Sequence, residues 1–223
     1  MALTCADSSW TTIPMLARIE TPSLTVFAAA NSDAQLAEVI RSGVRPDGRP
    51  LLLMPSEEAS RLSDPEIGAL IAYIRAQPRG GSLGQGMQLG PIGRLLLALG
   101  QFQTAPQLVA EFRAKPLPDF GPDTAPGRSL ARACTQCHGP DLTGDAGPDL
   151  RIAAAYDASS FARLLRTGIA LDGKPVRPTG QPGESNTIGL MAEIAPSRFG
   201  GLSDADIAAL HAYLTTRAAH LTR

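Results

Sequence analysis

Two thiols and an imidazole stand together in Cys134-Thr135-Gln136-Cys137-His138. In the order C-x-x-C-H, the sulfurs can form thioether bonds to the vinyl groups of a haem, and the histidine can ligate its iron. A helix turns every 3.6 residues, so His138 returns one turn beyond Cys134 on the same face. Three cysteines and three histidines in 223 residues give about 0.0005 chance matches to this pattern. The rival uses are a thiol redox pair, half a zinc site, or a surface coincidence. A zinc site needs about four ligands, and the remaining candidates are Cys5, His211 and His220. Covalent haem c, one per chain, is the use these residues complete.

A low-spin haem iron takes a second axial ligand. In electron carriers this is methionine or histidine, and methionine raises the potential. Met191 is the only methionine after Cys137, and it is expected on the loop before the last helix. A methionine more often fills a gap in a core, but its place in an internal repeat favours the iron. His211 is the competitor. It falls on the apolar face of the last helix, where a histidine is more often packed than ligating. His220 lies near the C-terminus. In Asp145-Ala146-Gly147-Pro148-Asp149-Leu150, a carbonyl in the turn around Pro148 can accept from the second ring nitrogen of His138, fixing the ring. Leu150, Leu164, Leu165 and Ile169 are expected as apolar walls. Arg166, Lys174 and Arg177 are equally suited to a haem propionate or to solvent.

These residues need helices to hold them, and the chain repeats its helices. Leu36 to Gly43 matches Phe161 to Gly168, and Asp47-Gly48 matches Asp172-Gly173 at the same offset of 125. Met54 and Met191 follow. Each copy closes on a similar helix, Leu62 to Ile74 and Leu202 to Leu214, at an offset of 140. Ser63 and Ser203 read as N-caps with Glu66 and Asp206 three residues on. Ile67, Leu70, Ile71 and Ile74 make one apolar face. Gly43 and Gly168 read as left-handed C-caps. Between the copies, Pro78 to Gly127 is rich in glycine and proline and reads as a linker that wraps the surface, with Ile92 to Leu99 as a short helix. The first copy has no histidine and only Cys5.

The chain is 43% hydrophobic and 18% charged, ordinary for a globular protein, but only 4% aromatic. A haem would supply the missing flat apolar body. A net charge of −1 gives no reason to expect a nucleic-acid binder. Met1 to Glu20 does not read as a signal peptide. No run approaches the roughly 18 apolar residues of a membrane helix.

The motifs resemble those of the class I cytochromes c, and more narrowly the tandem-domain cytochrome c subunits of bacterial dehydrogenases. The resemblance rests on CTQCHG at Cys134 to Gly139, GPDL at Gly147 to Leu150, the Gly168 and Asp172-Gly173 turn, Met191, and the closing helix from Leu202 to Leu214. It implies an all-α fold of two domains in tandem. Residues 1–80 would be a degenerate or truncated copy, 81–126 a linker, and 127–223 the haem domain. It implies thioethers at Cys134 and Cys137, axial ligands His138 and Met191, and electron transfer from a dehydrogenase subunit to a downstream acceptor, in the periplasm or otherwise outside the cytoplasm. A second haem requires sequence upstream of Met1, and truncation is favoured over a relic scaffold. With no haem of its own, the segment 1–33 is expected to be loosely packed. The alternative is a peroxidase-like haem enzyme with an open iron and His211 as distal base.

Overall fold

The computed structural model describes residues 10–176 and 190–221. Two compact units divide the chain, Met1–Ala114 and Lys115–Arg223. The chain is helix-rich, which fits the expected all-α class.

The first unit carries a small sheet that sequence reasoning missed. Strands β1 (Trp10–Ile13), β2 (Ala17–Glu20) and β3 (Gly86–Leu89) pair antiparallel in that order. Its helices are α1 (Leu24–Ala30), α2 (Asp33–Ser42), α3 (Ser56–Ala59), α4 (Asp64–Ala76), α5 (Pro91–Ala98) and α6 (Ala105–Ala114). The second unit holds α7 (Ala125–Ala131), α8 (Thr135–His138), α9 (Ala158–Thr167), α10 (Leu190–Phe199) and α11 (Asp204–Leu221), with a 3-10 segment at Leu150–Ala155.

Local chemistry sets the helix ends where the sequence put them. Ser32 and Gln35 cap α2 reciprocally, and Ser63 and Glu66 do the same for α4. Before α11, Ser203 Oγ accepts from the Asp206 amide at 3.1 Å while Asp206 accepts from the Ser203 amide at 3.3 Å. Helices α2 and α9 end at Gly43 and Gly168 with φ of 69° and 70°, a left-handed conformation that glycine adopts without a Cβ penalty.

Asp157 caps α9 by accepting from the Ser160 amide at 2.7 Å and from the Ser159 and Ser160 hydroxyls. These donors hold its carboxyl down to about 2, against an ordinary value of 3.8. The folded value lies below the unfolded one. Its contribution to stability is therefore complete above about pH 4 and lost as pH falls toward 2. Asp157→Asn keeps an acceptor but cannot titrate, so its acid-unfolding curve should be flatter across that window. Superimposable curves would refute the assignment.

The repeat reappears as matched local geometry. The isolated bridges Val44–Pro50 and Ile169–Pro175 stand 125 residues apart. Arg41 donates to the Leu62 carbonyl at 3.3 Å and pairs with Asp64 at 2.6 Å. Arg166 donates to the Leu202 carbonyl at 3.3 Å and pairs with Asp204 at 2.7 Å. Leu36, Ile40, Ile67 and Ile71 form the first core; Phe161, Leu165 and Ile207 take the matching places in the second.

Four expectations need correction. The segment 10–33 is packed, not loose: Ala17, Ser23, Thr25 and Ala28 are buried, because β3 gives the hairpin a third strand and α1 packs on α4. The stretch 81–126, read as a linker with one short helix, holds β3 and α6 besides the expected α5, and the units divide at 114/115. Glycine and proline there form tight junctions: Gly90 and Gly93 let α5 approach the backbone of Met15 and Leu16 closer than any side chain allows. Met191 lies in α10 and not on a loop; Pro196 and Gly200-Gly201 mask this helix in the sequence. Met54 is exposed and is not the spatial counterpart of Met191. A Cβ on Gly43 would meet Ala105 of α6 at 2.6 Å, whereas one on Gly168 would meet Ala192 of α10 at 2.5 Å. The helix covering the glycine cap thus follows α4 in the first unit and precedes α11 in the second.

Candidate haem site

Cys134 caps α8 and Cys137 and His138 lie within it, so the three reactive groups share one short helix. Both cysteines are half-buried thiols outside any disulfide. Thr135 between them is fully buried and donates from Oγ1 to the Arg132 carbonyl at 2.7 Å, tying the pentad to the preceding turn.

His138 is buried, and its Nδ1 lies 2.7 Å from the Pro148 carbonyl. A carbonyl can only accept, so Nδ1 carries the proton and Nε2 keeps its lone pair for a metal. Burial pushes the His138 pKa down, and the Pro148 bond only partly opposes it, so the ring is held neutral. The expected acceptor turn is thus where the sequence placed it.

The loop between them is tightly closed. The Gly147 amide donates to the Cys137 carbonyl at 2.6 Å, the Gly144 amide to the His138 carbonyl at 3.0 Å, and the Leu150 amide to the Leu142 carbonyl at 3.0 Å. A Cβ at Gly147 would stand 2.7 Å from His138 Cε1 and 2.8 Å from Nδ1, so only glycine lets the ring reach Pro148. Leu142 holds φ of 65°, an uncommon conformation for a branched side chain. Its full burial in the core of the second unit offsets that strain.

Cys134, Leu150 and Met191 all pack against this one apolar cluster. Leu165 lies inside it. Met191 is half-buried, and the adjacent Ala192 is seated on the Gly168 cap, so α10 is fixed beside the end of α9.

The donor set fits a covalent haem: two reduced thiols at the required spacing, a buried neutral imidazole with one nitrogen already engaged, and a thioether on the same apolar cluster. Residues 124–218 match the family model described as Cytochrome c. They form a cytochrome c family domain. No curated protein matches the chain. A cytochrome c domain implies covalent haem c and haem-based electron transfer. No described helix is long and apolar enough to cross a membrane.

Other expected residues fall elsewhere. Arg166 pairs with Asp204 and donates to the Leu202 carbonyl. Arg177 and Cys5 lie outside the described residues. His211 is stacked on Phe161, centroids 4.6 Å apart, with Nε2 3.3 Å from the Ala153 carbonyl. It is a packing residue of the cytochrome c domain, at the place Ile71 takes in the first unit. His220 is exposed and bonds the Thr216 carbonyl at 2.9 Å.

Sequence reasoning missed Arg217. Its side chain is 1% exposed. It donates to the Asp141 carbonyl at 2.8 and 3.2 Å and to Asp149 Oδ1 at 3.3 Å. Burial pushes the Asp149 carboxyl up, but hydrogen bonds from Arg151 and Arg217 outweigh it and hold the group ionised. An arginine in the last turns of the closing helix reads as solvated; only the fold shows it turned inward.

Proposed function

We propose that this protein is a one-electron carrier with one haem c, held by thioethers to Cys134 and Cys137 and ligated by His138 and Met191. The observation that carries the reading is the His138 Nδ1 to Pro148 carbonyl bond, which presents Nε2 as the ligand atom. The haem supplies reversible iron oxidation and reduction. The chain's own residues orient the imidazole, exclude water from it, and hold Met191 against the apolar cluster. The matched geometry of the two units supports a tandem arrangement in which the first is a cytochrome c-like copy without the haem motif. At the offset of 125, Ser9 to Ile13 stands where the second copy has Cys134 to His138, and β1 runs there instead of a helix. The family resemblance supports a role as cytochrome subunit, taking electrons from a dehydrogenase and passing them to a downstream acceptor outside the cytoplasm.

A peroxidase-like enzyme would need an open iron and a distal base. His211 is occupied by Phe161 and Ala153, which favours the carrier reading.

The test is an optical spectrum of protein exported with c-type maturation machinery. The oxidised wild type should show the charge-transfer band of methionine–iron ligation, and the reduced form should resist carbon monoxide. Met191→Ala should lose the band and bind carbon monoxide readily. A wild type that is high-spin or binds carbon monoxide at once would bring the enzyme reading forward.

A further inference from the structure

We infer that Arg217 is a positioning residue for the haem ligand, latching the last helix to the loop that carries the acceptor of His138 and thereby setting the haem potential. The inference rests on the carrier reading above. Three observations carry it. Arg217 is buried to 1% exposure, deep for a permanently charged side chain, and so must be matched by partners that justify its desolvation. Those partners are on the ligand loop: the carbonyl of Asp141, three residues after His138, and the carboxylate of Asp149, next to Pro148. The loop in turn closes on the pentad through the Gly147 amide and the Cys137 carbonyl, and through Pro148 on His138 itself.

The guanidinium therefore spans both ends of the turn between Asp141 and Asp149, and its planar fork fixes their separation, which a point charge could not. It also adds a second positive charge to Asp149, whose other carboxylate oxygen pairs with Arg151 at 2.7 Å. Without Arg217, the positive charge opposite Asp149 falls to Arg151 alone, and the less compensated carboxylate beside Pro148 would favour the ferric over the ferrous state. The internal repeat adds an independent comparison. At an offset of 140, the first unit has Gln77 in place of Arg217, and at an offset of 125 it has Leu16 and Leu24 in place of Asp141 and Asp149. The unit without the haem motif lacks every part of the latch.

The test compares wild type, Arg217→Gln and Arg217→Lys, each loaded with haem. The readouts are haem stoichiometry by pyridine haemochrome, reduction potential by titration, and exchange of the His138 Nδ1 proton by NMR in the diamagnetic reduced state. Arg217→Gln should lower the potential and speed proton exchange at least several-fold. Arg217→Lys should restore most of the potential, because it keeps the charge, and little of the protection, because it loses the fork. Adding Asp149→Asn to Arg217→Gln should move the potential back up, and this pair keeps the test open if the single variant folds poorly. A folded, haem-loaded Arg217→Gln with unchanged potential and exchange overturns the latch. A wild type without covalent haem overturns the carrier reading instead, so the two failures are distinct.

Discussion

With Cys134 and Cys137 both changed to alanine, the pyridine haemochrome assay should fall from one covalent haem per chain to none. Both sulfurs are half-exposed and outside any disulfide. The remaining cysteine, Cys5, has no second cysteine or histidine at the C-x-x-C-H spacing and cannot take over attachment. His138 keeps its bond to Pro148 in this variant, and a haem held only by ligation should wash out under denaturing extraction. The single variants Cys134→Ala and Cys137→Ala should each retain one thioether, with a pyridine haemochrome band displaced toward that of a vinyl-bearing haem. Persistence of full covalent haem in the double variant would refute the assignment of the pentad.

The largest loss of stability should come from Gly127→Val. Helices α7 and α11 cross at this glycine. A Cβ there would stand 2.7 Å from Tyr213 Cβ and 2.8 Å from the Ala209 carbonyl carbon, and closer still to its oxygen. These are backbone and stem atoms that cannot rotate away, so the helices must separate. Tyr213 and Leu210 are both 0% exposed and lie in the same cluster, so that movement opens the core. Overpacking of this kind costs about 3 kcal/mol, which for a domain of this size lowers the melting temperature by roughly 15 °C. Thermal denaturation followed by circular dichroism measures it. Gly127→Ala should fall between wild type and valine. A shift of only a degree or two for valine would show that the crossing can relax.

How much of this was legible beforehand varied with the kind of signal. The pentad, the acceptor turn and the capped helices of both copies depend on local residue types, and each stands where its residues put it. The sheet was not legible, because its four-residue strands are too short for an alternating pattern, and the pairing of Ala17 to Glu20 with Gly86 to Leu89 joins residues far apart in sequence. Helix α6 was hidden in a stretch whose glycine and proline content suggested a linker. Met54 seemed the partner of Met191 because sequence order was taken for spatial order; the covering helix comes from opposite directions in the two units. Arg217 has no local signature at all. Its role exists only because α11 returns across the loop from Asp141 to Asp149.

The crossing at Gly127 also orders events in time. Helices α7 and α11 lie near the two ends of the second unit, so their contact closes a loop almost as long as the unit itself. Long-range contacts of this kind form late, since the chain entropy lost on closure is regained only when the far segment arrives. A chain exported N-terminus first presents Cys134 and Cys137 before Tyr213 arrives to dock. During that interval the thiols sit on an open, hydrated strand where a haem-attaching enzyme can reach them. The window for covalent attachment is written into the order of the elements, and it shuts when the last helix seats.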